Sequence, residues 1–318
     1  MTRPPQPEPF GHRPVMVDEV VGLLAPGPAG TVVDATVGGG GHARALLEAA
    51  DHLTVLGLDR DPVAVAAAAS ALAPFGARAR VRRSRFDRLR EVAGEEGLEA
   101  LSGVLFDLGV SSPQLDRAER GFSHRGEGPL DMRMDPDDER SAADVVNGLP
   151  EAELARLLRT YGDERHAGRI ARAIVAARPL RTTAELAAVV RDAIPAPARR
   201  RGGHPARRTF QAVRIEVNRE LEVLPGALDA AVDLLVPGGR CVVLAYHSGE
   251  DRIVKERFRD AAAGGCTCPP GLPCVCGAQP RVRLLRRGAW KPSPEEVAVN
   301  PRAGSARLRA VEKLAVAA

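Results

Sequence analysis

Thr31-Val-Val-Asp34-Ala-Thr-Val37 runs directly into Gly38-Gly-Gly-Gly41 and His42. The β-branched run reads as a buried strand, the four glycines as a tight turn, and 42–50 as the helix beyond it. Thr54-Val-Leu-Gly-Leu-Asp59 repeats the strand pattern. Asp61 then offers an N-cap and Pro62 a first helical position, so a second helix is expected from there through the alanines to about Ala73. Strands that alternate with helices in this way predict a parallel, doubly wound α/β sheet.

Further strands are expected at 78–83, at Gly103-Val-Leu-Phe-Asp-Leu108, and at 240–246 after the turn signal Pro237-Gly-Gly239. The last two lie far more than an ordinary crossover apart. The gap holds helical patterns at 151–160, 164–177 and 183–193. An inserted helical domain is therefore expected at 115–212, within a split α/β domain formed by 1–114 and 213–318. A helix over 208–224 would return the chain to the sheet.

The 318 residues are 44% hydrophobic, enough for a full core, but only 3% aromatic, so Ala, Val and Leu must build it. The formal net charge of +4 suits a nucleic-acid partner without requiring one. No stretch of 18 apolar residues predicts a membrane span, and residues 1–10 are proline-rich without an apolar signal core, so a cytoplasmic protein is expected. Four of the five cysteines are bunched late in the chain, unlike a secreted disulfide framework.

The glycine loop and Asp59 together describe a nucleotide-type cofactor site. Glycines let backbone approach a ligand, a helix start offers unpaired N–H groups, and an acid ending the next strand suits ribose hydroxyls. Gly38-x-Gly40-x-x-Ala43 also satisfies the dinucleotide fingerprint, so the loop fits NAD as well as S-adenosylmethionine. Asp34 is expected either to hold the loop through its backbone or to touch ligand. Asp107-Leu-Gly-Val-Ser-Ser-Pro-Gln114 falls at the carboxyl end of the fourth strand, where open α/β sheets carry their crevice. Asp107 either caps the turn that follows or acts on substrate. An acceptor there would localise the lone pair of an aromatic amine during methyl transfer.

These blocks resemble the RsmH (MraW) methyltransferase family over nearly the whole chain. The resemblance begins at His12-Arg-Pro-Val15 and takes in the glycine loop with His42, Asp59-Arg-Asp-Pro62 and Asp107 through Asp116. It continues through Arg120-Gly-Phe-Ser123, Pro129-Leu-Asp-Met-Arg-Met-Asp135 and Arg208-Thr-Phe-Gln-Ala-Val-Arg-Ile215 to Asn300-Pro-Arg302. It implies a Rossmann-like class I methyltransferase sheet with an inserted helical domain. It also implies S-adenosyl-L-methionine as methyl donor and N4 of a cytidine in the decoding region (P site) of 16S rRNA as acceptor. Cofactor contacts carry over to Gly40, Gly41, His42, Asp59, Phe86, Asp107 and Gln114. Phe86 reads equally as a core aromatic. Asp107 and His247 are the expected catalytic pair. The family commonly has Ser-Phe-His-Ser-Leu-Glu-Asp-Arg where this chain has Ala245-Tyr-His-Ser-Gly-Glu-Asp-Arg252. Ala245 lacks a hydroxyl there and Gly249 a packing side chain.

Arg199, Arg200, Arg201, Arg207 and Arg208 crowd a Gly/Pro loop without an acid, and are the expected contacts to RNA phosphates of the small ribosomal subunit. A second basic set includes Arg281, Arg283, Arg286, Arg302 and Arg309, and reads equally as a solvated strand face. Tyr246 is expected to stack on an extruded base or to pack in the core. Cys266, Cys268, Cys274 and Cys276 form two Cys-x-Cys pairs that suit either a structural zinc or uncoordinated thiols. Two other classes of protein remain open: an NAD-dependent dehydrogenase, which shares the loop and Asp59, and a non-catalytic RNA-binding scaffold.

Overall fold

The structure is a computed structural model, and it describes residues 14–199, 204–266, 268–269 and 275–315. The chain divides into two compact units, Met1–Gly109 with Val223–Ala318, and Val110–Glu222.

The first unit starts with α1 (Val17–Leu24), β1 (Gly30–Asp34), α2 (Gly41–Ala49), β2 (Leu53–Asp59) and α3 (Pro62–Leu72). It continues with β3 (Ala79–Arg83), α4 (Leu89–Glu95) and β4 (Leu101–Asp107). Asp61 caps α3 as its sequence requires, its carboxylate accepting from Val63 N at 3.0 Å; such a cap contributes about 1 kcal/mol. β1, β2 and β4 are buried on both faces, the signature of a parallel sheet covered by helices.

The second unit holds α5 (Ser112–Asp116), α6 (Ala142–Gly148), α7 (Glu151–Gly162), α8 (Ala167–Ala176), α9 (Thr183–Ala193), α10 (Ala196–Arg199) and α11 (Arg207–Asn218). Its core is its own. Leu154, Leu158, Ile170, Ile174, Leu186, Val190 and Val213 pack together with essentially no exposure. The return helix expected over 208–224 is two helices. α11 stops at Arg219, which is left-handed at φ 53, and α12 (Glu220–Leu234) starts afresh. The break is held by the buried side chain of Asn218. Its amide donates to Met132 O and Arg214 O at 2.8 and 2.9 Å, and its oxygen accepts from Met134 N at 2.8 Å.

The first unit resumes with β5 (Leu235–Ala245), α13 (Ser248–Ala263), β6 (Val282–Leu284), α14 (Pro294–Val299) and β7 (Arg307–Lys313). The sheet order is β3-β2-β1-β4-β5-β7-β6. Two sequence expectations are corrected here. Pro237-Gly-Gly239 does not precede the fifth strand but lies inside it, at an irregularity where the register against β4 shifts between Leu101 and Gly103. Gly238 sits at φ 81, a conformation that suits a bulge residue. The sheet is also not wholly parallel, because β7 runs antiparallel to both β5 and β6. The strand order reverses between β1 and β4, which places the ligand-binding switch point at their carboxyl ends.

Candidate active site at the carboxyl edge of the sheet

Asp34, Asp59 and Asp107 are the last residues of β1, β2 and β4. The strands that carry them are apolar, so burial raises the pKa of each carboxyl. Asp34 is pushed up to about 8, opposed by a hydrogen bond from Thr36 N and reinforced by the charges of Asp107 and Asp59. Asp59 is pushed up to about 6 by burial, opposed by backbone donors. Those donors are Gly38 N on one oxygen at 3.0 Å and Asp61 N on the other at 2.9 Å. Asp59 thereby holds the glycine loop while each oxygen keeps acceptor capacity for a ligand hydroxyl.

The loop itself needs its glycines. Gly40 is left-handed at φ 83 at the start of α2. A Cβ on Gly41 would lie 2.4 Å from Pro14 Cγ. Pro14 thus packs directly against the start of α2, whose first-turn N–H groups have no acceptor within the helix. A diphosphate approaching this loop would meet the acid side chains of Asp59 and Asp107. A cationic cofactor without phosphates would meet partners, and the site fits S-adenosyl-L-methionine on those grounds.

Asp107 is the most elaborately held of the three. Tyr246 Oη donates to Asp107 Oδ1 at 2.7 Å, and His42 Nδ1 lies 3.6 Å from Oδ2. Burial raises the carboxyl, opposed by the charge of His42 and the bond from Tyr246. A carbonyl only accepts, so the 2.9 Å contact of His42 Nε2 with Val15 O makes Nε2 the donor. Nδ1 then faces the carboxylate. Burial and the neighbouring acids keep the Tyr246 phenol well above its usual range, so it remains a donor. A quarter (26%) of the Asp107 side chain is still accessible, which leaves a route for substrate.

Tyr246 is the residue that the sequence left undecided. Its hydroxyl reaches the carboxylate because Glu250, nearly fully buried, accepts from both Tyr246 N and His247 N and fixes that turn. His247 has a structural task. Its Nδ1 accepts from Gly249 N and Glu250 N and caps α13. Its Nε2 is buried, 3.2 Å from Glu250 Oε1 but without a well-aligned hydrogen bond. Phe86 is half-buried and stands edge-on to Phe106, ring centroids 5.8 Å apart.

In the second unit, Gln114 is buried and closes the first turn of α5 through a bond from Ser111 N at 3.0 Å. That turn therefore has its own cap. Arg199 ends α10, and Arg207 and Arg208 open α11 with exposed side chains. Arg208 donates to Asp163 O. Arg200 and Arg201 lie outside the described residues. In the C-terminal basic set Arg281 pairs with Asp233, Arg283 with Glu312 and Arg309 with Asp251, so much of its charge is neutralised in place. Cys266, Cys268 and Cys276 come together, and Cys274 lies outside the described residues.

A seven-stranded sheet with its antiparallel seventh strand and this acid-ended carboxyl edge defines a class I methyltransferase. The family model described as the MraW methylase family matches residues 9–314, and the chain belongs to that family. A protein of Acidothermus cellulolyticus named ribosomal RNA small subunit methyltransferase H is 56% identical over 95% of this chain and 94% of its own length. Proteins of the same name from Heliobacterium modesticaldum and Thermobifida fusca are 51% and 52% identical, over 96% and 95% of this chain and 99% and 93% of theirs. No helix among the described residues is long and apolar enough to cross a membrane.

Proposed function

We propose that the chain transfers a methyl group from S-adenosyl-L-methionine to N4 of a cytidine in the decoding region (P site) of 16S rRNA. The observation that carries the reading is Asp107, which ends β4 between the Tyr246 hydroxyl and His42 and remains accessible to substrate. The names of the close relatives support the substrate.

The cofactor, when bound, supplies an electrophilic methyl on a sulfonium. Gly40, Gly41 and His42 at the start of α2, Asp59 at the end of β2, Phe86 beyond β3, and Gln114 are the residues that would hold it. The amine of cytosine is a poor nucleophile because its lone pair is delocalised into the ring. Asp107 would accept a hydrogen bond from that amine, localise the lone pair and take the proton released on transfer. Tyr246 keeps one carboxylate oxygen in place while the other faces His42 Nδ1. The capping geometry of His247 supports a positioning role for it and leaves the proton with Asp107. Arg199, Arg200, Arg201, Arg207 and Arg208 would bind RNA phosphates, with 110–222 as the substrate-recognition unit. The reading makes the protein a cytoplasmic partner of the small ribosomal subunit.

The test is methyl transfer from labelled S-adenosyl-L-methionine to small subunits lacking the modification and to naked 16S rRNA, with mass spectrometry of the product nucleosides. N4-methylated cytidine is expected. Label in any other nucleoside would overturn the assignment of the acceptor.

A further inference from the structure

The segment that joins α13 to β6 is tied at both ends. Gly264 ends α13 in the left-handed conformation, and Cys266 N donates to Ala263 O at 3.1 Å. On the return side Arg281 N donates to Ala261 O at 2.9 Å. A Cβ on Gly264 would lie 2.2 Å from the carbonyl carbon of Gln279, so the two stems touch backbone to backbone. Between the stems the described residues form neither helix nor strand, and Val275 is 88% exposed. A loop with so little apolar burial gains its order from cross-links.

The sulfurs supply a candidate. Cys266, Cys268 and Cys276 Sγ all lie within 4.8 Å of one another, and Cys276 and Cys266 are 3.7 Å apart. A disulfide would require about 2.05 Å. Thiolates at about 2.3 Å from a tetrahedral zinc have their sulfurs about 3.8 Å apart, which is the spacing of the Cys276–Cys266 pair. Val275 N donates to Cys268 Sγ at 3.4 Å and orients that sulfur as the outer partners of metal ligands do. Three soft donors select zinc over magnesium or calcium.

We infer that Cys266, Cys268 and Cys276 hold a structural zinc ion that closes the loop between α13 and β6. The site stands apart from methyl transfer. The 16 residues of α13 separate it from the Tyr246–Asp107 end of the sheet, roughly 24 Å at 1.5 Å per residue. It is also independent of which nucleotide is the acceptor.

The full-length protein, purified without chelator, is expected to contain one zinc per chain by elemental mass spectrometry. Cys268→Ser and Cys276→Ser are each expected to lose it while methyl transfer and the far-ultraviolet spectrum stay at the wild-type level. Stripping the wild-type protein with chelator should raise the rate of thiol labelling at these cysteines about tenfold, and one equivalent of zinc chloride should restore protection. Three results would each overturn the inference. They are wild-type protein without stoichiometric zinc before or after that titration, a mass two hydrogens short that reveals a disulfide among these cysteines, or full zinc retention in Cys268→Ser. Because the zinc and labelling readouts need no methyl acceptor, failure here and failure of the methyltransferase reading are separable.

Discussion

The carboxyl edge of the sheet and the helical unit of 110–222 use their polar groups differently. In the helical unit several side chains pin backbone, although Thr209 Oγ1 and His124 Nε2 are buried there without a hydrogen-bond partner among the described residues. Asn218 holds Met132 and Met134, Asn147 holds both sides of Leu180, and Arg178 reaches Val146 O and Leu149 O. At the sheet edge Asp34 is buried and Asp59 and Asp107 are partly buried, each with incomplete compensation, which their raised pKa values record. Polar burial that pins backbone serves stability. The partly uncompensated acids at the sheet edge fit the proposed ligand site, and the fold bears their cost.

The largest effect that could break this contrast is that of Asp107→Ala. Methyl transfer should fall about a thousandfold or more, with a melting temperature no lower than that of the wild type. Activity within tenfold of wild type would remove Asp107 from the chemistry. Asn218→Ala should do the reverse. Loss of three buried hydrogen bonds should destabilise the protein by about 2–3 kcal/mol in denaturant titration, with little change in cofactor affinity. A stability change under about 0.5 kcal/mol would end the claim that this side chain holds the break between α11 and α12.

Tyr246→Phe sharpens the contrast within the site. The hydroxyl lowers the pKa of Asp107, so its removal should move the acid limb of the rate–pH profile toward higher pH. At neutral pH kcat should drop by about tenfold or less while KM for cofactor holds. Superimposable profiles would reduce the hydroxyl to packing. The last effect, on stability and its pH dependence alone, belongs to Asp34→Asn. Folded Asp34 binds its proton more tightly than the unfolded chain does, so the stability it contributes below its ordinary carboxyl range is lost as pH rises toward about 8. The asparagine variant should therefore lose less stability than wild type between pH 5 and pH 9 in pH-dependent thermal melts, by on the order of 4 kcal/mol at about 1.4 kcal/mol per pH unit up to about 8. Parallel stability curves would mean that Asp34 is ionised throughout.

Where local chemistry decides structure, the sequence was readable. The β-branched runs ending in Asp34, Asp59 and Asp107, the Asp61-Pro62 helix start and the helix Thr183–Ala193 all follow from neighbours in the chain. What escaped depends on distant partners. Nothing near Arg219 announces a break, because Asn218 makes it through Met132 and Met134 more than 80 residues away. Pro237-Gly-Gly239 looks like a turn and becomes a bulge only because β4 lies alongside. β7, with alternating charge, becomes a strand through pairing with β5. In the candidate site the acids and glycines were visible from their spacing. The bond from Tyr246 to Asp107 spans 139 positions and depends on how β5 sits beside β4.

That same pairing has a consequence for biosynthesis. β4 ends at Asp107, and its neighbour β5 begins only at Leu235. On a chain made from its N-terminus, the outer edge of β4 has no native partner until the whole insertion has emerged. The insertion, contiguous and with its own core, can complete its folding in that interval. The Asp107 carboxylate acquires its Tyr246 donor only after β5 has docked, so the proposed methyl-transfer centre is among the last parts of the molecule to come into being.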